Sequence, residues 1–400
     1  MKQRKRRGDF FVLLCDTHLT KPREGLRIFV AGIHLSIEVN VATEEEIYRN
    51  LQKHLDSLPV GYPATQSGVE IKILKHFFTT DEAEIATYLT IAPEPVSAIF
   101  ERAKKTGISL DELQHILDDM AKKVIITTSS EGGERLYRNS PFVVGIWESA
   151  VNKVTPDLLM NMGQYAQEGF GRALFAGKIP QLRTIPVEKS IPVPDKYLVS
   201  SYDSVRELVN NNTGQFAVSN CICRQTHELM GQKCQVTDMV EKCLILDGEQ
   251  YLNGGLARPI TRDEALDILQ QAQDAGLVLQ PLNSQRPEAI CCCCGDCCGI
   301  LSAVKQMPRP ADFYATNFYA EIDPDLCSGC QTCIERCQMD ALVMSDGVAT
   351  VNLDRCIGCG NCVVICDTNA IQLKKKEIET IPPADEGELL KVLAAEKPGQ

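Results

Sequence analysis

The sequence predicts a multidomain α+β chain, and three observations carry that reading. Its 400 residues exceed one ordinary core and call for about two to three domains. Amphipathic helices and a hairpin fill the region before residue 179, whereas eighteen of the nineteen cysteines follow a proline-punctuated stretch at 179–196. Near the C-terminus one cysteine pattern occurs twice.

Composition narrows the function classes. An apolar fraction of 44% and a charged fraction of 24% belong to a globular chain rather than a disordered one. No apolar run approaches the ~18 residues that a membrane span requires. The opening MKQRKRRGDFFVLLCD is basic, but Phe10 to Cys15 is too short for the apolar core of a signal peptide, so a cytoplasmic location is expected. The formal charge of −12 disfavours broad nucleic-acid affinity, which needs clustered Lys and Arg to displace counterions. It suits docking to a redox partner protein with a basic surface.

Residues 1–42 read as a poorly structured or atypical extension. Lys2, Arg4, Lys5, Arg6 and Arg7 precede a strand-like stretch from Leu26 to Val39, and a lone Cys15 lies between. A solvated tail is favoured there over a basic nucleic-acid arm.

Helices follow in order. Thr43-x-x-Glu46 is a capping box ahead of Ile47, Leu51, Leu55 and Leu58 at helical spacing, and Pro59 and Gly61 stop that helix. Val69 to Phe78 carries Ile71, Leu74 and Phe77 on one face. Thr79-x-x-Glu82 opens a helix through Ile85 and Leu89 that breaks at Pro93. After a shorter segment from Val96 to Lys105, Ser109-x-x-Glu112 opens another, with Leu113, Ile116, Leu117 and Met120 facing a core. VIITTS, the turn Glu131-Gly132-Gly133 and ERLYR then predict a hairpin. Residues 141–177 read as further helix; GFGRALFAG lacks the GxGxxG spacing, so no phosphate loop is expected.

Three helices and a two-stranded wing resemble a winged helix-turn-helix, so residues 43–178 are expected to form a winged-helix-like domain. The recognition helix by that resemblance, SLDELQHILDDMAKK, carries Asp111, Glu112, Asp118 and Asp119 against Lys122 and Lys123. Residues 64–150 hold nine Lys/Arg against thirteen Asp/Glu. A helix lying among phosphates needs the opposite balance. The region is therefore read as a protein-docking or scaffold part, and nucleic acid is not an expected partner.

Pro180, Pro186, Pro192 and Pro194 mark residues 179–196 as an extended linker. A cysteine-rich module at 197–310, a metal-binding module at 318–376 and a flexible tail at 377–400 complete the expected organisation.

The strongest signal is CSGCQTCIERC, Cys327-x2-Cys330-x2-Cys333-x3-Cys337, which returns as CIGCGNCVVIC, Cys356-x2-Cys359-x2-Cys362-x3-Cys366. EIDPDLC matches TVNLDRC and CQMDALVM matches CDTNAIQL, so a unit of 29 residues is duplicated in tandem. A cubane cluster needs four thiolates, one per iron, and a loop with two residues between ligands wraps it from three directions. Gly329, Gly358 and Gly360 ease the turns. Structural zinc would more naturally take two CxxC pairs.

This arrangement resembles bacterial two-[4Fe-4S] ferredoxins over about Ile322 to Leu373. The resemblance implies that Cys327, Cys330, Cys333 and Cys366 hold one cluster, and that Cys356, Cys359, Cys362 and Cys337 hold the other. One departure stands out: that family usually has proline after the fourth cysteine, where this chain has Gln338 and Asp367.

Ten more cysteines lie between. Cys221-x-Cys223, Cys234 and Cys243 precede a capped amphipathic helix from Thr261, and ICCCCGDCCG then places six cysteines in positions 291–298. In a strand Cys291 and Cys293 would point opposite to Cys292 and Cys294, so all six cannot serve one centre. Cys294-x2-Cys297 is a chelating knuckle. Cys221, Cys223, Cys234, Cys243, Cys291, Cys293, Cys294, Cys297 and Cys298 are the candidate further ligands. One or two additional iron–sulfur clusters are favoured there; zinc, with Cys221, Cys223, His227 and Cys234 as the obvious set, and free thiols are the alternatives.

The order of these cysteines, the helix ending in GLV and the terminal duplicated unit resemble a family of ferredoxin-like iron–sulfur proteins with a winged-helix head. The resemblance covers most of Thr43 to Leu373; its pattern often has cysteine at the position of Asp296 and another residue at that of Cys292. It supports the electron-transfer class, and the duplicated unit is expected to pass single electrons to or from a partner oxidoreductase, as a carrier or enzyme component rather than a stand-alone enzyme. An iron–sulfur redox-sensing transcription regulator is the alternative, and an enzyme with an open iron site in 221–298 a third.

Overall fold

Capping boxes start the N-terminal helices where the sequence places them. In the computed structural model, which describes residues 42–191 and 199–397, Thr79 and Ser109 each accept from the amide three residues on. Glu82 and Glu112 reach back to the cap amides. The chain divides into Met1–Glu46 and Ile47–Gln400. The extension expected at 1–42 lies, but for its last residue, outside the described residues, as does Cys15.

The helical part comprises α1 (Glu44–Ser57), α2 (Val69–Phe77), α3 (Thr80–Ala86), α4 (Val96–Ala103) and α5 (Leu110–Lys122). A sheet of β1 (Glu94–Pro95), β2 (Ile126–Glu131) and β3 (Glu134–Asn139) follows the order β1-β3-β2. The hairpin forms as its EGG turn predicts, with Gly132 and Gly133 left-handed. The helix expected to run through Leu89 to Pro93 ends earlier, at Ala86, and the two residues after Pro93 add a strand to the hairpin. α6 (Pro156–Tyr165) and α7 (Gly171–Leu174) finish this part around a core that includes Leu51, Ile73, Leu117, Phe142 and Tyr165.

The middle part is a five-stranded antiparallel sheet with helices around it. In chain order it runs α8 (Val205–Asn211), β4 (Ala217–Asn220), α9 (Ile222–Leu229), β5 (Glu241–Ile245) and α10 (Glu249–Asn253). It continues with β6 (Arg258–Pro259), α11 (Arg262–Asp274), β7 (Val278–Pro281), β8 (Ala289–Cys293) and α12 (Gly299–Lys305). The strand order is β6-β4-β5-β8-β7. The pleat gives the sheet two chemically different faces. Leu244, Leu279, Ile290 and Cys292 pack with α8 and α11, whereas Val278, Cys291 and Cys293 face a second core with Leu301, Val304 and Tyr314.

The C-terminal part pairs β9 (Phe318–Ile322) with β12 (Ile371–Lys375), and β10 (Leu342–Ser345) with β11 (Val348–Val351). Two short helices, α13 (Thr332–Arg336) and α14 (Asn361–Val364), occupy equivalent places in the two sequence repeats.

Two expectations about connecting segments need correction. The stretch at 179–196, described to residue 191, is a packed strap rather than a free linker. Arg183 and Thr184 are buried, the Ile185 amide donates to Leu279 O at 3.1 Å, and the Val187 amide donates to Cys359 O at 2.9 Å. Its extended chain finds its hydrogen bonds in the neighbouring parts, as buried backbone must. The expected tail at 377–400 holds α15 (Glu386–Glu396), capped by Asp385. Leu389, Leu390 and Leu393 recur at helical spacing and are buried, and Glu386 pairs with Arg138 at 3.0 Å.

Candidate metal centres

The two repeats enclose two cavities. The first, about 320 Å³, is lined by Cys327, Cys330, Cys333 and Cys366; the second, about 380 Å³, by Cys337, Cys356, Cys359 and Cys362. Each cavity thus has three cysteines from one repeat and the fourth from the other. Left-handed residues at the loop bends, Gly329, Gln331, Gly358 and Gly360, turn successive thiols inward. Backbone amides already point at sulfur: Ala349 N lies 3.4 Å from Cys327 Sγ, and Ala341 N lies 3.3 Å from Cys337 Sγ.

The two cavities differ in exposure. Cys330 is exposed, and the Thr332 hydroxyl beside it holds its thiol below the usual range. Its counterpart Cys359 is covered by the 179–191 strap, and burial pushes its thiol up to about 12. Gly360 explains why the second repeat has glycine where the first has Gln331. Both positions are left-handed, but any Cβ on Gly360 would overlap Ser190 of the strap.

A third, larger cavity of about 650 Å³ lies on the far face of the middle sheet. Cys221, Cys223, Cys243, Cys291, Cys293 and Cys298 line it, together with Glu148 and Tyr251. Cys243 sits directly opposite Cys291 across β5 and β8. The thiols of Cys221, Cys223, Cys298, Cys293, Cys291 and Cys243 neighbour one another in that order, each close enough to shift the next one's ionisation. Burial raises the Glu148 carboxyl to about 8, so it carries a proton at neutral pH.

Two buried polar groups beside this chamber have no partner. Gln280, opposite Cys291 on β7, leaves both amide atoms unsatisfied, and so does the hydroxyl of buried Tyr314. Tyr314 packs in the same core as Cys291, Cys293 and Cys298. The Gln280 amide nitrogen and the Tyr314 hydroxyl are donors that the sulfur of a sulfide-bearing group would accept, whereas Gln280 Oε1 would still need a donor.

A fourth set lies on the opposite side of β8. The donor atoms of Cys234, Cys294, Asp296 and Cys297 all fall within 4.8 Å of one another. Cys234 Sγ is 3.7 Å from both Cys294 Sγ and Asp296 Oδ1, and the ammonium of buried Lys242 is 3.5 Å from Cys294 Sγ.

The nine expected middle ligands are therefore divided: Cys221, Cys223, Cys243, Cys291, Cys293 and Cys298 surround the chamber, and Cys234, Cys294 and Cys297 stand apart. The pleat makes the division within the opening run, and it leaves Cys292 in the apolar core against α8 and α11. Of the zinc set Cys221, Cys223, His227 and Cys234, the last joins the other group. Sequence reasoning missed Glu148, Gln280, Tyr314, Lys242 and the role of Asp296 as a donor. Only Asp296 left a local trace, standing inside the Cys294-x2-Cys297 knuckle.

Residues 326–371 match the 4Fe-4S dicluster domain family. No curated protein and no solved structure is significantly similar to the chain. The match makes this an iron–sulfur protein with a ferredoxin-like domain near its C-terminus and at least one [4Fe-4S] cluster.

Proposed function

We propose that the protein is an electron-transfer component carrying two [4Fe-4S] clusters in the terminal repeats and a third iron–sulfur centre in the six-thiol chamber. The observation that carries this reading is the continuity of the thiol-lined sites. Cys327, Cys333, Cys337, Cys356, Cys362 and Cys366 pack around one core. Cys337, Cys356 and Cys359 also pack around the core that holds Cys291, Cys293 and Cys298. Exposed Cys330 stands at one end of this series and the chamber at the other.

The bound clusters supply reversible one-electron transfer. The chain's residues do the rest. Thr332, Ala341 and Ala349 donate to cysteine sulfur and so set the electron density there. The strap from Ile179 to Ile191 covers Cys359 at the second cavity, and Glu148 holds a proton beside Cys291. Asp325, two residues before Cys327, and Asp367, directly after Cys366, are exposed and suit a partner with a basic docking surface.

The winged-helix-like part serves as a scaffold in this reading. Gln250 of α10 donates to the carbonyls of Ala121 and Ile126 and accepts from Thr128 N, so the middle part leans on the end of α5 and on β2. With Asp111 and Asp119 exposed on that helix, the regulator reading has less support.

Anaerobic redox titration followed by electron paramagnetic resonance tests the proposal. Three reducible cluster signals are expected in the full chain, with the third lost in Cys243→Ala and the other two retained. Two signals unchanged by Cys243→Ala would contradict it.

A further inference from the structure

The four donors Cys234, Cys294, Asp296 and Cys297 have a spacing that differs in kind from that of the cluster cavities. Two ligands bound to one zinc ion at about 2.3 Å in tetrahedral geometry lie about 3.8 Å apart. Cys234 Sγ is 3.7 Å from Cys294 Sγ and 3.7 Å from Asp296 Oδ1. A cubane places each thiolate on a different iron and holds the sulfurs further apart, so this set has room for one ion and not for a cluster.

The surroundings are built for an anionic group. Lys242, 2% exposed, sends its hydrogen bond to Cys294 Sγ at 3.5 Å rather than to a carboxylate. A buried ammonium needs an anion beside it, and thiolates supply one where thiols do not. Asp296 is fixed from two sides: the Cys297 amide donates to Oδ1 at 2.9 Å, and the Gln235 amide donates to Oδ2 at 2.7 Å. Arg224, also buried, donates to the carbonyls of Thr237 and Met239 and holds the other half of the loop that presents Cys234.

We propose that Cys234, Cys294, Asp296 and Cys297 bind a single zinc ion, a structural site separate from the iron–sulfur centres. Three thiolates and a carboxylate give the ion a net charge of −2 with its ligands, which Lys242 partly offsets. Thiolate ligands select zinc over magnesium or calcium. The ion ties residues 230–240, which contain no helix or strand beyond α9, to the turn between β8 and α12. The site does not depend on the electron-transfer reading, because zinc has no redox chemistry.

The test uses the full chain purified anaerobically, with zinc and iron measured per chain by mass spectrometry. About one zinc is expected in the native protein, falling at least fivefold in Cys234→Ala with iron unchanged. X-ray absorption at the zinc edge should show three sulfurs at about 2.3 Å and one oxygen at about 2.0 Å. If Cys234→Ala fails to fold, Asp296→Asn with the same two measurements takes its place, and a lower zinc content or an altered oxygen shell supports the site. Absence of zinc from the native protein, or loss of iron instead of zinc in either variant, overturns the proposal. A fall in iron on Cys243→Ala with zinc retained would separate this site from the chamber.

Discussion

The backbone amide of Gly295 donates to the side-chain oxygen of Gln338 at 2.7 Å, and the two backbones touch there. Gln338 follows Cys337 in the position where two-cluster ferredoxins usually carry proline, a residue with no side-chain acceptor. This contact joins the knuckle at 294–297 to the wall of the second terminal cavity. A Cβ on Gly295 would overlap the Gln338 carbonyl, whereas a Cβ on Gly299, four residues later, meets nothing within 4 Å. Gly295→Ala should therefore cost about 1–3 kcal/mol, the usual range for overpacking. Gly299→Ala should be neutral or slightly stabilising. Thermal denaturation of the two variants side by side checks this.

In the proposed crossed ligation, Cys366 would hold the first terminal cluster although it lies in the second repeat. Cys366→Ser should remove or strongly perturb the cluster nearer the surface and spare the one beside the strap. Iron analysis and electron paramagnetic resonance would show a loss of up to about four irons and one of two terminal signals. Loss of the strap-side signal instead would show that each repeat binds its own cluster.

Neighbouring cysteines in the opening run should behave oppositely. Cys293 packs with Cys298, Leu301 and Tyr314, whereas Cys292, though it also borders the chamber, is buried in the opposite core against α8 and α11, and burial pushes its thiol up to about 12. Cys293→Ala should lower iron by about four per chain. Cys292→Ala should leave iron and labile sulfide unchanged and cost about 1–2 kcal/mol of packing.

His54 gives the helical part a pH dependence. Its ring packs with Nε2 at 2.9 Å from Leu89 O, and burial lowers its pKa below the usual 6.5. The unfolded chain then takes up the proton first, so stability is full above about pH 6.5 and falls as pH drops below it. Denaturant unfolding between pH 7.5 and pH 5.5 should show that decline, and His54→Asn should flatten it.

Local chemistry was legible in the sequence. Thr79, Glu82, Ser109 and Glu112 form their capping boxes because both partners lie within one turn. The 29-residue repeat is visible because duplication preserves spacing. The alternation within Cys291 to Cys294 needed only the pleat of one strand. The grouping of the middle cysteines was not legible, because it depends on pairings far apart in the chain. Cys234 meets Cys294 sixty residues on, and Cys243 meets Cys291 through a strand register that no local pattern encodes. The strap failed for a similar reason: prolines signal an extended chain, but only the finished sheet and the folded second cysteine loop provide the Leu279 and Cys359 carbonyls that bind it.

The most direct test of the central claim is the iron and labile sulfide content of the anaerobically purified full chain, compared with that of Cys243→Ala. The proposed centres predict about twelve irons with matching sulfide in the native protein and about eight in the variant. About eight irons in both would contradict the chamber as an iron–sulfur site.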